Sequence, residues 1–164
     1  MNLRSSVLLL FLTFTACRGD AHPFGIVTET PSVSIEELLA SHGELQVGGK
    51  TLIGEAFLWR DFMPTDRPDT RLRALVHVFT QDSTALPNGL RVTRLWVVND
   101  PVAWETSHFE GDRPTQPIYQ LERYAINGPE WEVGTLVDVV VRVEGVPGGA
   151  VLLRLPSVSI VRTE

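Results

Sequence analysis

The sequence predicts an all-β protein, on the basis of three observations. Apolar runs rich in β-branched residues occupy residues 51–62, 71–80, 90–98, 117–126, 135–144 and 149–161. Clusters of Pro, Gly, Asn and Asp, such as Pro87-Asn88-Gly89, separate these runs. No stretch of ten or more residues with helical periodicity lies between them, which disfavours a parallel βαβ arrangement. We therefore expect an antiparallel two-sheet sandwich of about six or seven strands, with a small β-barrel as the alternative.

The period-two alternation within two runs indicates which face of each strand is buried. From Val137 to Val143 every second residue is valine, and Asp138 lies on the opposite face. Because an unpaired carboxylate in a core is costly, the valine face is expected to be the inner one. In 71–79 the apolar positions are again alternate, which leaves His77 outside. The expected inner faces are Val137, Val139, Val141 and Val143 in one strand and Leu72, Ala74, Val76 and Val78 in the other.

The last run changes phase. Its apolar residues stand at odd positions up to Leu155 and at even positions from Val158. A bulge at Pro156-Ser157 would return both sets to the same face, and proline is tolerated at such a position. Residues 145–149 are expected to close the final hairpin.

A short helix is predicted before the first strand. Ser34 followed by Glu37 is a capping-box pattern, and Gly43 is a plausible end of the helix. Two turns at most fit between them, so the helix would depend on packing against the sheet for its stability.

The first sixteen residues have the layout of a signal peptide. Arg4 supplies the positive charge, Val7 to Leu12 form an apolar stretch, and the small residues Thr15 and Ala16 precede Cys17. Phe14-Thr15-Ala16-Cys17 resembles the bacterial lipobox, with Phe14 where that family usually has Leu, Val or Ile. The resemblance implies cleavage before Cys17 and acylation of its thiol, with the membrane as a partner through the N-terminal lipid.

This resemblance sets the expected domain organisation and location. Residues 1–16 are the signal peptide, 17–33 a lipidated tether with little periodicity, and 34–164 the β-sandwich domain. Residue 18 is Arg rather than the Asp that retains some lipoproteins in the inner membrane, so the outer membrane of a bacterial cell envelope is favoured. The alternative is a cut before His22, which would give a secreted or soluble periplasmic protein.

The segment from Trp131 to Val143, a glycine-led strand that feeds a hairpin into a closing strand, resembles the last two strands of bacterial immunoglobulin-like domains. This resemblance implies an architecture and a binding or accessory role, with no catalytic residues.

Composition and motifs exclude several classes of function. The chain has 14 basic and 20 acidic residues, and removal of Arg4 with the leader leaves 13 against 20. This balance argues against nucleic acid as a partner. The GxSxG and SxxK motifs are absent, and Cys17 belongs to the processing signal, so no catalytic residue is assigned. No cofactor is implied.

Metal binding has little support in the sequence. The four histidines are scattered, so no metal site is assigned. Calcium is the most credible metal, because loops of β-sandwiches supply oxygen ligands. The carboxylates available for it are Asp66 and Asp69 in one loop and Asp100, Glu105, Glu110 and Asp112 in another.

The candidate binding loop is the long unpatterned connection 99–114. It contains Asp100, Trp104, His108 and Phe109, and such a loop either covers a sheet end or forms a recognition surface. Trp59 and Trp96 fall within strands and are expected in the core. The sequence therefore predicts an exported, lipid-anchored, non-catalytic envelope protein that acts as a binding or accessory module, possible partners being other envelope proteins. The alternatives are a small-molecule or calcium-binding module and a hydrolase of the envelope.

Overall fold

The described part of the protein is all-β with one short helix. The computed structural model describes residues 25–64, 66, 69–111 and 117–164. The elements in these ranges are β1 (Ile26–Thr28), α1 (Ile35–Ala40), β2 (Leu45–Val47), β3 (Lys50–Asp61), β4 (Leu72–Thr80), β5 (Arg91–Asn99), β6 (Val102–Thr106), β7 (Gln120–Ala125), β8 (Leu136–Glu144) and β9 (Val151–Thr163). The six predicted runs correspond to β3, β4, β5, β7, β8 and β9. The three strands that the sequence does not reveal are each five residues or shorter.

The strands follow the order β1-β6-β5-β8-β9-β3-β4-β7, with β2 paired to β3 beside this path. The sheet curls into a half-barrel. Its strands are not all antiparallel, so that part of the prediction is wrong: β9 pairs in parallel with β3, from Leu58 opposite Ile160 to Asp61 opposite Thr163. The immunoglobulin-like two-sheet sandwich is not confirmed, because one hydrogen-bonded path connects both halves through β9.

The predicted inner faces of β8 and β4 are confirmed. Val139, Val141 and Val143 are fully buried and Val137 almost so, and the inner face of β4 is likewise buried. These residues join one core cluster with residues of β3, β5 and β9. The curled sheet thus buries its concave side, where burial of each valine stabilises the fold by about 1.5–3 kcal/mol.

The predicted bulge in the last strand is confirmed. The β8–β9 register shifts between Val137 and Val139, and Ser157 has a φ of 57°. Leu155 before the bulge and Ile160 after it are both buried on the inner side. The bulge also turns β9 from its antiparallel partner β8 toward its parallel partner β3.

Helix α1 covers the convex side of one half of the sheet. The Ser34 side chain accepts a hydrogen bond from the Glu37 N–H, as the capping pattern predicts. The helix ends at Ala40, before the predicted Gly43, because Ser41 caps the Leu38 carbonyl with its hydroxyl at 2.6 Å. Leu38 packs into a second cluster formed by Trp96, Val98, Ala103 and Val140.

Part of the predicted tether belongs to the folded body. Strand β1 lies within 17–33 and pairs with β6, from Ile26 opposite Glu105 to Thr28 opposite Ala103. The predicted signal peptide and Cys17 lie outside the described residues.

Candidate functional site

The convex side of the other half of the sheet carries polar and aromatic side chains. Leu52 and Leu58 of β3 point into the core, so alternation along the strand places Glu55, Phe57 and Trp59 on the outside. The pairing register sets Glu55 opposite His77 of β4. We call this convex surface of β3, β4 and β7 the outer face.

Three aromatic rings cluster on the outer face. The Phe57 and Trp59 centroids lie 5.1 Å apart with planes tilted by 33°. Trp59 stacks on Tyr124 of β7, with centroids 5.7 Å apart and planes only 9° from parallel. The Phe57 side chain is 48% exposed. Each ring pair contributes about 0.5–1.5 kcal/mol beyond burial, which holds the cluster in place while leaving Phe57 open to solvent.

A cleft of about 490 Å³ lies beside this cluster, between β3 and β9. It exists because β9 pairs with β3 only from Leu58 onward, after the bulge at Pro156 and Ser157. Most of its lining is apolar, and Glu55 and His77 are its two ionisable members. The lining residues are Gly54, Glu55, Ala56, Phe57, Leu75, His77, Leu155, Pro156 and Val158.

His77 is held in place across the sheet. Its Nε2 lies 3.0 Å from a carboxylate oxygen of Glu122, which is opposite His77 in the β4–β7 register. The described lining residues include no Ser, Thr, Cys or Lys that could act as a nucleophile beside this imidazole. The side chains that line the cleft, His77 among them, can therefore contact a bound molecule.

The structure does not bring the predicted binding-loop residues together on one surface. Asp100 is exposed at the turn of a tight β5–β6 hairpin, and the peptide bond to Pro101 is cis. Trp104 lies in β6 and is only 1% exposed, so it packs in the core and contacts no solvent-borne ligand. The assignment of Trp104 to a binding loop is wrong, because strand β6 runs through the predicted connection.

The other two residues of that set lie beyond β6. His108 is exposed, with Nε2 3.3 Å from a Glu110 oxygen. Phe109 is partly buried against the core, and the guanidinium of Arg123 lies 5.9 Å from its ring centroid. Phe109 thus covers a sheet end, which is the alternative that the sequence left open.

Glu105 is a buried carboxylate that fastens the N-terminal segment to the sheet. Its oxygens accept hydrogen bonds from the Ser32 N–H at 2.8 Å, from the Ser32 hydroxyl at 2.6 Å, and from Arg94. Burial by itself would raise the pKa of Glu105, but these bonds together outweigh it and hold the pKa below its ordinary value. The carboxylate is thus a structural group.

Two of the candidate calcium ligands, Asp69 and Glu105, are engaged in ion pairs with arginines. Asp69 binds Arg71, with Oδ1 2.8 Å from Nε, and this hydrogen bond is the main reason that the pKa of Asp69 is lowered. Glu105 is paired with Arg94 as described, and Asp112 lies outside the described residues. Among residues 25–64, 66, 69–111 and 117–164, no three His, Cys, Asp or Glu side chains come together in a way that could hold a metal ion.

Within the described part of the chain, no helix has both the length and the apolar character needed to span a bilayer.

Comparisons with known proteins give no relative. No protein family model matches the chain, and neither a curated protein nor a solved structure matches it. The site is therefore defined by its own geometry.

None of the residues that line the cleft is predicted from the sequence to belong to a binding site, although a signal was present. The expectation that Trp59 lies in the core is wrong, because it sits half-exposed on the outer face. Trp59 and Phe57 are in phase with the charged Glu55, whereas Leu52 and Leu58 are in the opposite phase. That alternation marks the aromatic face of β3 as the outer one.

Proposed function

We propose that this protein is an exported, lipid-anchored, non-catalytic module of the bacterial cell envelope that binds its ligand on the outer face. Attachment would be through the acylated Cys17, and the folded body would carry the cleft between β3 and β9. The immunoglobulin-like relationship belongs to the same proposal, as an architecture in which two half-sheets face each other across a shared core.

One observation carries the proposal of a binding surface. The convex side of the sheet is covered by α1 over β5, β6 and β8. Over β3, β4 and β7, by contrast, Phe57 is 48% exposed and Trp59 and Tyr124 are partly exposed. The uncovered half is also where Phe57, Trp59 and Tyr124 cluster beside the cleft. Exposed aromatic groups around a concave, largely apolar site are typical of ligand-binding surfaces.

The alternatives from the sequence have less support. A hydrolase would need a nucleophile or a pair of suitably placed carboxylates, and the described lining contains one carboxylate and one histidine. A calcium module would need converging oxygens, whereas Asp69 and Glu105 are committed to arginines. For a calcium module, added Ca²⁺ would raise the melting temperature, and we expect no such rise.

The anchoring part is tested by Cys17→Ser. We expect this variant to lose labelling by a fatty-acid probe and to move from the membrane to the soluble fraction, because the thiol that carries the acyl chains is gone. The control is a serine substitution at Thr15, which keeps a small residue before Cys17. A Cys17→Ser variant that stays on the membrane would contradict the lipid anchor.

The binding surface is tested by thiol accessibility in the full chain. Cys17 is the only cysteine, so a Ser157→Cys variant has one unacylated thiol under this proposal. Ser157 is exposed between the cleft residues Pro156 and Val158, and its replacement keeps Phe57 in place. We expect a maleimide reagent to label position 157 several-fold more slowly in isolated envelopes than in purified protein, because a bound ligand covers it. The Glu36→Cys variant, with its exposed site on α1, should label equally in both. Equal labelling at position 157 would contradict the proposal.

A further inference from the structure

We infer that the cleft beside Glu55 and Phe57 binds a small organic cation with an apolar body, such as a substituted ammonium compound. This inference rests on the proposed function and specifies the chemistry of its ligand. Three features of the cleft support it: an exposed carboxylate, adjacent aromatic rings, and an apolar remainder of suitable size.

The carboxylate is Glu55. It is exposed and lines the cleft, and no residue in the described part of the chain forms an ion pair or hydrogen bond with it. The neighbouring His77 is already hydrogen-bonded to Glu122 on its far side. Glu55 is thus available to a positively charged group that enters the cleft, and it would repel an anion.

The aromatic rings lie next to this carboxylate. Phe57 is two residues further along β3 and projects from the same side of the strand, about 7 Å away along the backbone. Its ring is 48% exposed, and Trp59 and Tyr124 extend the aromatic cluster behind it. The face of an aromatic ring attracts a cation, most strongly when the cation is an ammonium that has lost part of its water. Carboxylate and ring together therefore favour positive charge at one place.

The rest of the cleft suits an apolar body. Ala56, Leu155, Pro156 and Val158 line it, and its volume of about 490 Å³ lies within the range of small-molecule sites. Arg73 of β4 lies on this face, but it stands opposite Trp59 in the register and outside the cleft lining. The net charge of the chain, -6, further favours the approach of cations over anions.

The test uses the purified ¹⁵N-labelled full chain in a non-ionic detergent. Benzyltrimethylammonium is the cationic probe, and benzyl alcohol is a neutral aromatic of related shape. We expect the cation to shift the amide signals of residues 54–57 and 157–158 in a saturable manner, and benzyl alcohol to bind more weakly at the same place. Glu55→Gln and Phe57→Leu should each lower the affinity for the cation by about threefold or more, while Glu36→Gln leaves that affinity unchanged.

Three results would overturn the inference. Equal binding of benzyl alcohol would show an apolar site without charge selectivity. Shifts spread over many acidic residues, with Glu36→Gln as damaging as Glu55→Gln, would show attraction by net charge alone. The absence of shifts with either probe would show that the cleft takes no such ligand. In each case the thiol-accessibility result at position 157 decides separately whether the outer face binds anything. Unchanged melting temperatures of the variants confirm that they are folded.

Discussion

At the scale of single residues, Glu105 shows how one buried carboxylate attaches the start of the folded body. Its side chain is 9% exposed and binds both Ser32 and Arg94, which joins the segment after β1 to β5 and β6. Glu105→Gln removes the charge and part of this bonding. We expect the free energy of unfolding to fall by about 1–3 kcal/mol, measured by urea denaturation at pH 7. Glu29→Gln, an exposed site on the same segment, should have almost no effect.

The same contact predicts a pH dependence with a definite sign. The pKa of Glu105 in the folded protein is below its ordinary value of 4.5, so the unfolded chain takes up the proton first as the pH falls. The contribution of Glu105 is therefore complete above pH 4.5 and is lost as the pH falls below 4.5 toward the folded-state pKa. The stability difference between the wild type and Glu105→Gln should shrink over that range. A difference that stays constant down to acid unfolding would contradict the assignment.

The two faces of β8 give a second prediction at this scale. Val139 is fully buried, so Val139→Asp places an unpaired carboxylate in the core and should cost more than about 4 kcal/mol, enough to unfold the domain. Asp138 lies on the other face, where its side chain is 23% exposed and pairs with Arg154 at 3.0 Å. Asp138→Asn should cost only about 0.5–1 kcal/mol. Similar melting temperatures for the two variants would show that the faces are reversed.

At this scale the sequence predicts burial well where a strand alternates cleanly. The valines of β8 and the alternate positions of β4 are buried as expected. In each strand a polar residue on the opposite face, Asp138 or His77, indicates which face points to solvent. The expectation that Trp59 lies in the core rests on its residue type, and the expectation that Trp104 lies in a binding loop rests on an apparent loop. Their places depend on the register of β3 and on a strand, β6, only five residues long.

At the scale of elements, α1 matters because it covers only half of the convex side. Leu38 is fully buried and anchors the helix on Trp96 and Val140. Leu38→Ala should destabilise the protein by about 2–4 kcal/mol, because the helix has just six residues and depends on this contact. The measurement is thermal or urea unfolding of the full chain.

Leu136→Ala is the matched control for that substitution. Leu136 lies on β8 with 65% of its surface exposed, so the same truncation should change the free energy of unfolding by less than about 0.5 kcal/mol. An equal decrease in the free energy of unfolding for Leu38→Ala and Leu136→Ala would mean that Leu38 does not hold α1 on the sheet.

The elements themselves could be predicted because their signals are local. The capping pair at Ser34 and Glu37 and the phase change at Pro156-Ser157 depend on neighbouring residues, and both are confirmed. The pairing of β9 with β3 after the bulge could not be predicted. The parallel pairing of β9 with β3 joins residues a hundred positions apart, and no local pattern encodes it.

At the scale of the whole molecule, the curled sheet has a shared core inside and two unlike halves outside. One half of the convex side is closed by α1, and the other presents the cleft and the rings of Phe57, Trp59 and Tyr124. The sequence predicted the all-β class but placed the binding residues on the 99–114 segment. Residues of β3, β4 and β9, which come together only in the folded chain, line the cleft, so no single sequence motif predicts it.

The central claim is that this uncovered half is where the protein binds. Hydroxyl-radical footprinting of the unmodified protein tests it most directly, since the method measures the solvent exposure of many aromatic rings at once. We predict that Phe57 and Tyr124 are oxidised several-fold more slowly in intact envelopes than in purified protein, while Trp96, buried beneath α1, is protected equally in both. Equal oxidation of Phe57 and Tyr124 in the two preparations would contradict the account.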